Sequence, residues 1–146
     1  MAYLLSRRSE NALVGVHPKL VSCVRRAIQI TEQDFTVVEG LRTIEKQREY
    51  MAKGVSKTLK SYHLVQRDGY GHAVDLYPYY DRSVQCEAPK ARFDAIAQAM
   101  KKAAWELGIT ITWGGDWKGA WDTPHFQLEP KEIGRASCRE RVFQQV

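Results

Sequence analysis

The chain has 146 residues, 44% of them hydrophobic, which is enough to bury the core of one domain. Its formal net charge is +5, but the basic residues are scattered and do not alternate with aromatic ones, so we expect no nucleic-acid partner. The sequence has no run of about 18 apolar residues, so we also expect no membrane span.

The N-terminal residues 1–8 bear on where the protein is made. Their apolar stretch is short and is interrupted early by two arginines, unlike a secretory signal peptide. We therefore expect synthesis in the cytoplasm with no signal peptide.

Hydrophobic periodicity outlines the first half of the chain, after a segment over residues 1–16 with no periodic pattern. The predicted elements are a helix over residues 18–30, a strand over 35–38 and a helix over 44–52. Pro18 fits the first position of the first helix. Thr43 is a suitable N-cap for the second helix.

The second half is predicted to contain three strands and the longest helix. The predicted elements are a strand over residues 73–76, irregular chain over 77–89, a helix over 91–107, and strands over 109–113 and 125–128. A turn is expected near Asp81 and Arg82, and Gly108 should end the long helix. Glycines in the tryptophan-rich stretch 113–121 favour a loop there.

Two of these strands alternate polar and apolar residues. In residues 73–76 and 125–128, Asp75 and His125 lie on the face opposite the bulky apolar side chains. This pattern predicts an α+β domain: a small, mostly antiparallel sheet with helices packed on one side and a metal cleft on the other.

Three side chains in this half suit a zinc ion. Zinc accepts imidazole and carboxylate ligands, and catalytic sites usually combine three protein ligands with one open position. His63, Asp75 and His125 form such a set, and Asp122 supplies a second carboxylate for proton transfer. Spacing alone does not distinguish this set from hydrogen-bonded residues without a catalytic role.

Four separated motifs make the set more specific. They are Ser-x-His at 61–63, Gly-x-Ala-x-Asp at 71–75, Trp-Gly-Gly-Asp-Trp at 113–117 and Asp-x-Pro-His-Phe at 122–126. In this order they resemble the phage L-alanyl-D-glutamate peptidases, endolysins of the zinc D-Ala-D-Ala metallopeptidase family. The resemblance implies that His63, Asp75 and His125 bind Zn²⁺ and that Asp122 is the catalytic base.

The resemblance extends to residues around the metal. A Gly-Leu-Arg-x-x-x-x-Gln pattern places Arg42 where the family stabilises the substrate carbonyl or carboxylate, and Gln47 where it supports the site. By the same likeness Ser61 lies near the metal and contacts a ligand or the substrate. Trp113 is expected to contribute an aromatic wall for a glycopeptide, although core packing is the commoner role for a tryptophan.

One departure from the family pattern leaves the identity of one zinc ligand undecided. Seven residues separate His63 from Gly71, where the family usually has about two, and the excess reads as a surface loop with a turn at Asp68 and Gly69. His72 is the rival ligand. We favour His63, because His72 is out of phase with Asp75 on the strand.

The resemblance implies a zinc-dependent peptidoglycan peptidase that cleaves L-alanyl-D-glutamate bonds of stem peptides during host lysis. It would be made in the host cytoplasm and released to the periplasm, and we expect a monomer. The alternatives are a D-alanyl-D-alanine carboxypeptidase and a non-catalytic, zinc-stabilised peptidoglycan-binding module.

The end of the chain is unlike the rest. Residues 135–146 have no hydrophobic pattern and resemble translated adapter sequence. We expect the peptidase domain to span residues 1–134, followed by a disordered tail of non-native appearance.

Overall fold

The computed structural model describes residues 2–54 and 61–133. The predicted tail over 135–146 lies outside the described residues. The helices are α1 (Arg7–Ala12), α2 (Pro18–Ile30), α3 (Ile44–Ala52) and α4 (Lys90–Leu107). The strands are β1 (Phe35–Glu39), β2 (Ala73–Tyr80), β3 (Ser83–Val84), β4 (Ile111–Trp113) and β5 (His125–Leu128).

The strands form one antiparallel sheet in the order β1-β2-β5-β4, with β3 paired to β2. One face of this sheet packs with α2 and α4 around a core that includes Val24, Leu76, Met100 and Phe126, all fully buried. The opposite face keeps Asp75 partly accessible. The predicted α+β class is therefore confirmed.

Local signals in the sequence place the helix ends. The Thr43 hydroxyl accepts a hydrogen bond from the Lys46 amide at 3.1 Å, so it caps α3 as predicted. At the other end of the domain, α4 stops at Gly108, which adopts the left-handed conformation with φ of 69°.

Helix α1 has no counterpart in the predicted elements. Ser6 caps its first turn, and the helix buries only Ser9, so it lacks the apolar stripe on which periodicity depends. The Ser9 hydroxyl accepts a hydrogen bond from the amide of Val37 at 2.9 Å. A polar contact, rather than an apolar face, thus ties α1 to β1.

The expectation of irregular chain over residues 77–89 is wrong. Strand β2 continues to Tyr80, although Pro78 within it is a residue that usually disfavours a strand. The chain then reverses at Asp81 and Arg82, both with positive φ, as a two-residue turn into β3 requires. The turn lies where the sequence predicts it. The strand before it is not predicted, because it contains a proline.

An irregularity in β1 sets which of its residues faces the cleft. Val37 pairs with Leu76 on the core side, and the next pair is Glu39 with Asp75, so Val38 is an extra residue. Such a bulge redirects the side chains that follow it. Here it brings Glu39 into the same row as Asp75.

None of the helices within the described residues combines the length and the apolar character that crossing a bilayer requires.

The Ser9 contact yields a test of the fold. Replacing Ser9 with alanine leaves the Val37 amide buried without its acceptor, which should lower the free energy of unfolding by about 1–3 kcal/mol. Denaturant unfolding monitored by circular dichroism measures the change. Ser22→Ala, at an exposed position of α2, is the matched control and should change stability little; equal stability of the two variants would refute the role of Ser9.

Candidate active site

The register of β2 and β5 places two polar side chains side by side. Asp75 and His125 are directly opposite each other in this antiparallel pair. The His125 Nδ1 atom lies 3.3 Å from Asp75 Oδ1, and His63 Nε2 reaches the same oxygen at 3.2 Å from the loop before β2. One carboxylate oxygen therefore lies between two imidazoles.

The outer nitrogens of both imidazoles donate hydrogen bonds. His63 Nδ1 donates to the carbonyl oxygen of Gly40 at 2.8 Å, and His125 Nε2 donates to Gln127 Oε1 at 2.8 Å. With those protons in place, each neutral imidazole presents a lone pair to Asp75. Two lone pairs and a carboxylate repel one another unless a cation or a proton lies between them.

Gly40 can take this position because it has no side chain. A Cβ atom there would lie 2.0 Å from the backbone oxygen of Ala12, at the end of α1. The carbonyl that orients His63 is thus held against the first helix.

The dimensions of this cluster, His63, Asp75 and His125, fit a small metal ion. One ligand atom from each residue lies within 4.8 Å of the others. Among residues 2–54 and 61–133, these three residues are the cluster of His, Cys, Asp or Glu side chains that has this spacing. Zinc ligands at about 2.0–2.2 Å in a tetrahedron are about 3.3–3.6 Å apart. The observed nitrogen-to-oxygen separations of 3.2 and 3.3 Å agree with that spacing.

Electrostatics keep the central carboxylate ionised. Burial by itself would raise the pKa of Asp75, but the hydrogen bonds and positive charge of His125 and His63 lower it well below its usual range. For His125, burial acts to lower the pKa and the Asp75 carboxylate outweighs it, so the pKa of this imidazole is raised. The site therefore attracts positive charge.

Asp122 lies at the edge of the cluster. Its Oδ2 atom is 3.8 Å from His125 Nδ1, and its side chain is 28% exposed. Burial raises the pKa of this carboxyl, an effect to which Asp75 adds and which the charges of His125, His63 and Arg42 oppose. A carboxylate that is open to solvent and has an elevated pKa is suited to accept and return a proton.

The backbone of Asp122 is held by a close contact. A Cβ atom at Gly114 would lie 2.1 Å from the carbonyl oxygen of Asp122, so only glycine allows the two chain segments to approach this closely.

Four neighbours fix the guanidinium of Arg42. Its Nε donates to the carboxylate of Glu39, and its Nη1 donates to Gln47 Oε1 and to Ser61 Oγ. The Tyr50 ring lies 4.7 Å below it. The positive charge of Arg42 is therefore held in one orientation beside the cluster.

Two of the residues predicted to belong to the site are buried. Gln47 is fully buried behind Arg42, and Trp113 is 7% exposed with its indole N–H donating to the carbonyl of Thr123. Ser61 is partly buried, and its hydroxyl accepts from the amide of His63 and from Arg42. These three side chains support the residues of the cleft from behind.

The aromatic rings near the cluster are those of two other tryptophans. Trp117 lies 5.3 Å from the His125 ring, and Trp121 lies 5.0 Å from Trp117. Neither these contacts nor the roles of Glu39 and Tyr50 follow from sequence spacing. The bulge in β1 and the loop after β4 create them.

His72, the rival ligand, lies in a separate cluster. Its Nε2 atom is 2.7 Å from Asp68 Oδ2, and His17 Nε2 lies 3.7 Å from the same oxygen. Asp68 belongs to the additional residues after His63, which return to the sheet through a bridge between Val16 and Gly71. The longer connection thus loops out, and His63 reaches Asp75.

Comparison with known proteins adds independent information. A family model described as phage L-alanyl-D-glutamate peptidase matches residues 1–130. The chain belongs to this peptidase family.

Individual relatives agree with that assignment. An L-alanyl-D-glutamate peptidase of Escherichia phage T5 is 33% identical over 125 residues, which cover 84% of this chain and 87% of the relative. One from Listeria phage A118 is 33% identical over 101 residues, or 69% of this chain and 32% of that longer protein. The enzyme class expected from the sequence, a peptidase, is confirmed.

A solved structure matches this peptidase fold. The crystal structure of the Serratia marcescens L-Ala D-Glu endopeptidase ChiX superposes with a TM-score of 0.75 at 42% identity. The match covers 86% of this chain and 89% of the Serratia protein.

The two histidine clusters allow a test of ligation. His63→Gln should lower the zinc content of the purified peptidase strongly, because it removes a lone pair that converges on Asp75. The same substitution at His72 should leave zinc content unchanged, since glutamine can still donate to Asp68. Metal analysis of both variants measures this. Loss of zinc from His72→Gln with retention in His63→Gln would reverse the assignment.

Proposed function

We propose that the protein is a zinc-dependent L-alanyl-D-glutamate endopeptidase that cleaves peptidoglycan stem peptides during host lysis. The observation that carries this proposal is the convergence of two imidazole nitrogens on one carboxylate oxygen, with a second carboxylate beside them. His63, Asp75 and His125 would hold the metal, and Asp122 would act as the base.

The donor set fits the chemistry of peptide hydrolysis. Zinc bound there would supply Lewis-acid activation of water and of the scissile carbonyl. Asp122, 3.8 Å from His125 Nδ1, would accept a proton from the attacking water on its carboxylate and return it to the departing amine. Arg42, held by its four neighbours, would donate hydrogen bonds to the carbonyl oxygen as negative charge develops on it.

The surface groove beside Arg42 suits an acidic peptide. An open groove of about 470 Å³ is lined by three basic residues, Arg8, Arg42 and Lys46, and by one acidic residue, Glu39, which pairs with Arg42. Beyond the scissile bond a stem peptide carries the free carboxylate of D-glutamate, which these basic side chains would attract. This placement would direct the D-glutamate side of the substrate toward β1.

The partner and location follow from the same proposal. Peptidoglycan in the periplasm would be the substrate of a monomeric enzyme made in the host cytoplasm. The origin of two relatives in phages supports a role in lysis. The presence of Asp122 favours an enzyme over a non-catalytic module, which has no need of a base.

Digestion of purified peptidoglycan tests the reaction. We expect the protein to release fragments that end in the L-alanine carboxyl group and begin with the D-glutamate amine, as identified by mass spectrometry. A chelator should abolish the release and added zinc should restore it. Cleavage between the terminal D-alanines would identify a carboxypeptidase instead, and full activity without metal would refute the zinc requirement.

Substitution of the base separates catalysis from metal binding. Asp122→Asn should retain zinc but lose about 10²–10⁴-fold in kcat, because an amide does not accept the proton. The matched control is Asp116→Asn, since Asp116 is exposed and pairs with Lys101. Zinc content and turnover are measured together; an Asp122→Asn variant with normal kcat would exclude the residue as base.

A further inference from the structure

Three aromatic rings in tilted contact form a row that leads out of the cleft. The first step, from His125 to Trp117, is 5.3 Å with an angle of 38° between the rings. The second step, from Trp117 to Trp121, is 5.0 Å with an angle of 32°. The row of rings thus runs from His125, a candidate metal ligand, to Trp121, whose side chain is 71% exposed.

The backbone of the loop holds this exposed ring in place. The amide of Ala120 donates to the carbonyl oxygen of Trp117 at 2.7 Å, and Ala120 has a φ of 46°. A positive φ is uncommon for alanine and persists where the surrounding structure requires it. At one end of the loop, Gly114 packs against the backbone of Asp122.

Two tryptophans of the described residues are highly exposed, Trp105 on α4 and Trp121, and Trp121 is the one that adjoins the cleft. Trp113, by contrast, is 7% exposed and packs in the core. Trp121 instead presents a ring to solvent beside the catalytic cleft, where it can stack on a ligand with a flat apolar surface.

The chemistry of the proposed substrate supplies such a surface. In peptidoglycan the L-alanine of the stem is joined through a lactyl group to N-acetylmuramic acid. An alanyl and a lactyl unit together span about 7 Å when extended, at about 3.3–3.6 Å for each residue-length unit. The sugar therefore lies within the distance that the two ring-to-ring steps cover.

Resting on the proposed function, we infer that Trp117 and Trp121 form a saccharide subsite that binds the N-acetylmuramoyl group by stacking. The apolar C–H face of the sugar ring packs against the indole of Trp121, while Trp117 connects this surface to His125. The subsite makes the enzyme selective for stem peptides that are still attached to the glycan strand.

The opposite end of the cleft agrees with this polarity. The basic groove with Arg8, Arg42 and Lys46 lies on the β1 side, whereas the tryptophans lie beside His125 on β5. A substrate with its sugar on the tryptophans would extend its acidic peptide toward the groove. The two ends of the cleft therefore distinguish the two ends of the substrate.

Two soluble substrates with the same tripeptide test the subsite. One carries N-acetylmuramic acid on L-alanine, and the other carries an acetyl group there. We expect kcat/KM of the wild type to be about tenfold higher for the muramoyl peptide, and Trp121→Ala to reduce this ratio to near one. Trp121→Phe should retain most of the preference. Trp105→Ala, which removes a tryptophan that is 82% exposed on α4, should leave the ratio unchanged.

A binding measurement separates the subsite from the reaction. Calorimetric titration of the zinc-loaded Asp122→Asn variant, in which turnover should be slow, should give a lower Kd for the muramoyl than for the acetyl peptide, and adding Trp121→Ala should remove the difference. Equal Kd values for the two peptides in this variant and equal kcat/KM values in the wild type would overturn the subsite. Tighter muramoyl binding with no hydrolysis by the zinc-loaded wild type would refute the proposed reaction and retain the subsite.

Discussion

The arrangement of this protein depends on one electrostatic constraint: two imidazole nitrogens converge on one oxygen of an ionised carboxylate. Asp75, His63 and His125 are brought together by a strand register and a loop, and each imidazole is oriented from behind by a carbonyl oxygen. Without positive charge between them these groups repel one another. The open face of the sheet therefore favours a bound cation at this fixed position.

Much of the surrounding structure serves to maintain that position. The face of the sheet behind the cluster is fully apolar and packs on α2 and α4, so the strands have little freedom to shift. At β1 a single extra residue brings Glu39 into the row of Asp75, and Glu39 then holds Arg42. A small irregularity in one strand thus sets the orientation of a charged side chain several residues later.

The sequence predicts this site better than it predicts the elements around it. Alternation alone places Asp75 and His125 on one face, and the motif order leads to His63 despite the longer connection after it. It does not predict the bulge at Val38, because a bulge depends on pairing with a distant strand. Hydrophobic periodicity does not predict helix α1 for a related reason, since the hydroxyl of Ser9, and not an apolar stripe, holds it against β1.

The contact between Gly114 and Asp122 has a consequence for how the cleft could change. The two ends of the tryptophan loop are pinned together by this backbone approach, which is independent of the side chains between them. Because this approach is between backbone atoms, substitutions of exposed side chains such as Lys118 and Trp121 should leave the Asp122 backbone in place. The proposed sugar contact and the proposed proton transfer would therefore be separable, so that engineering of the loop could alter the first without moving the carboxylate proposed for the second.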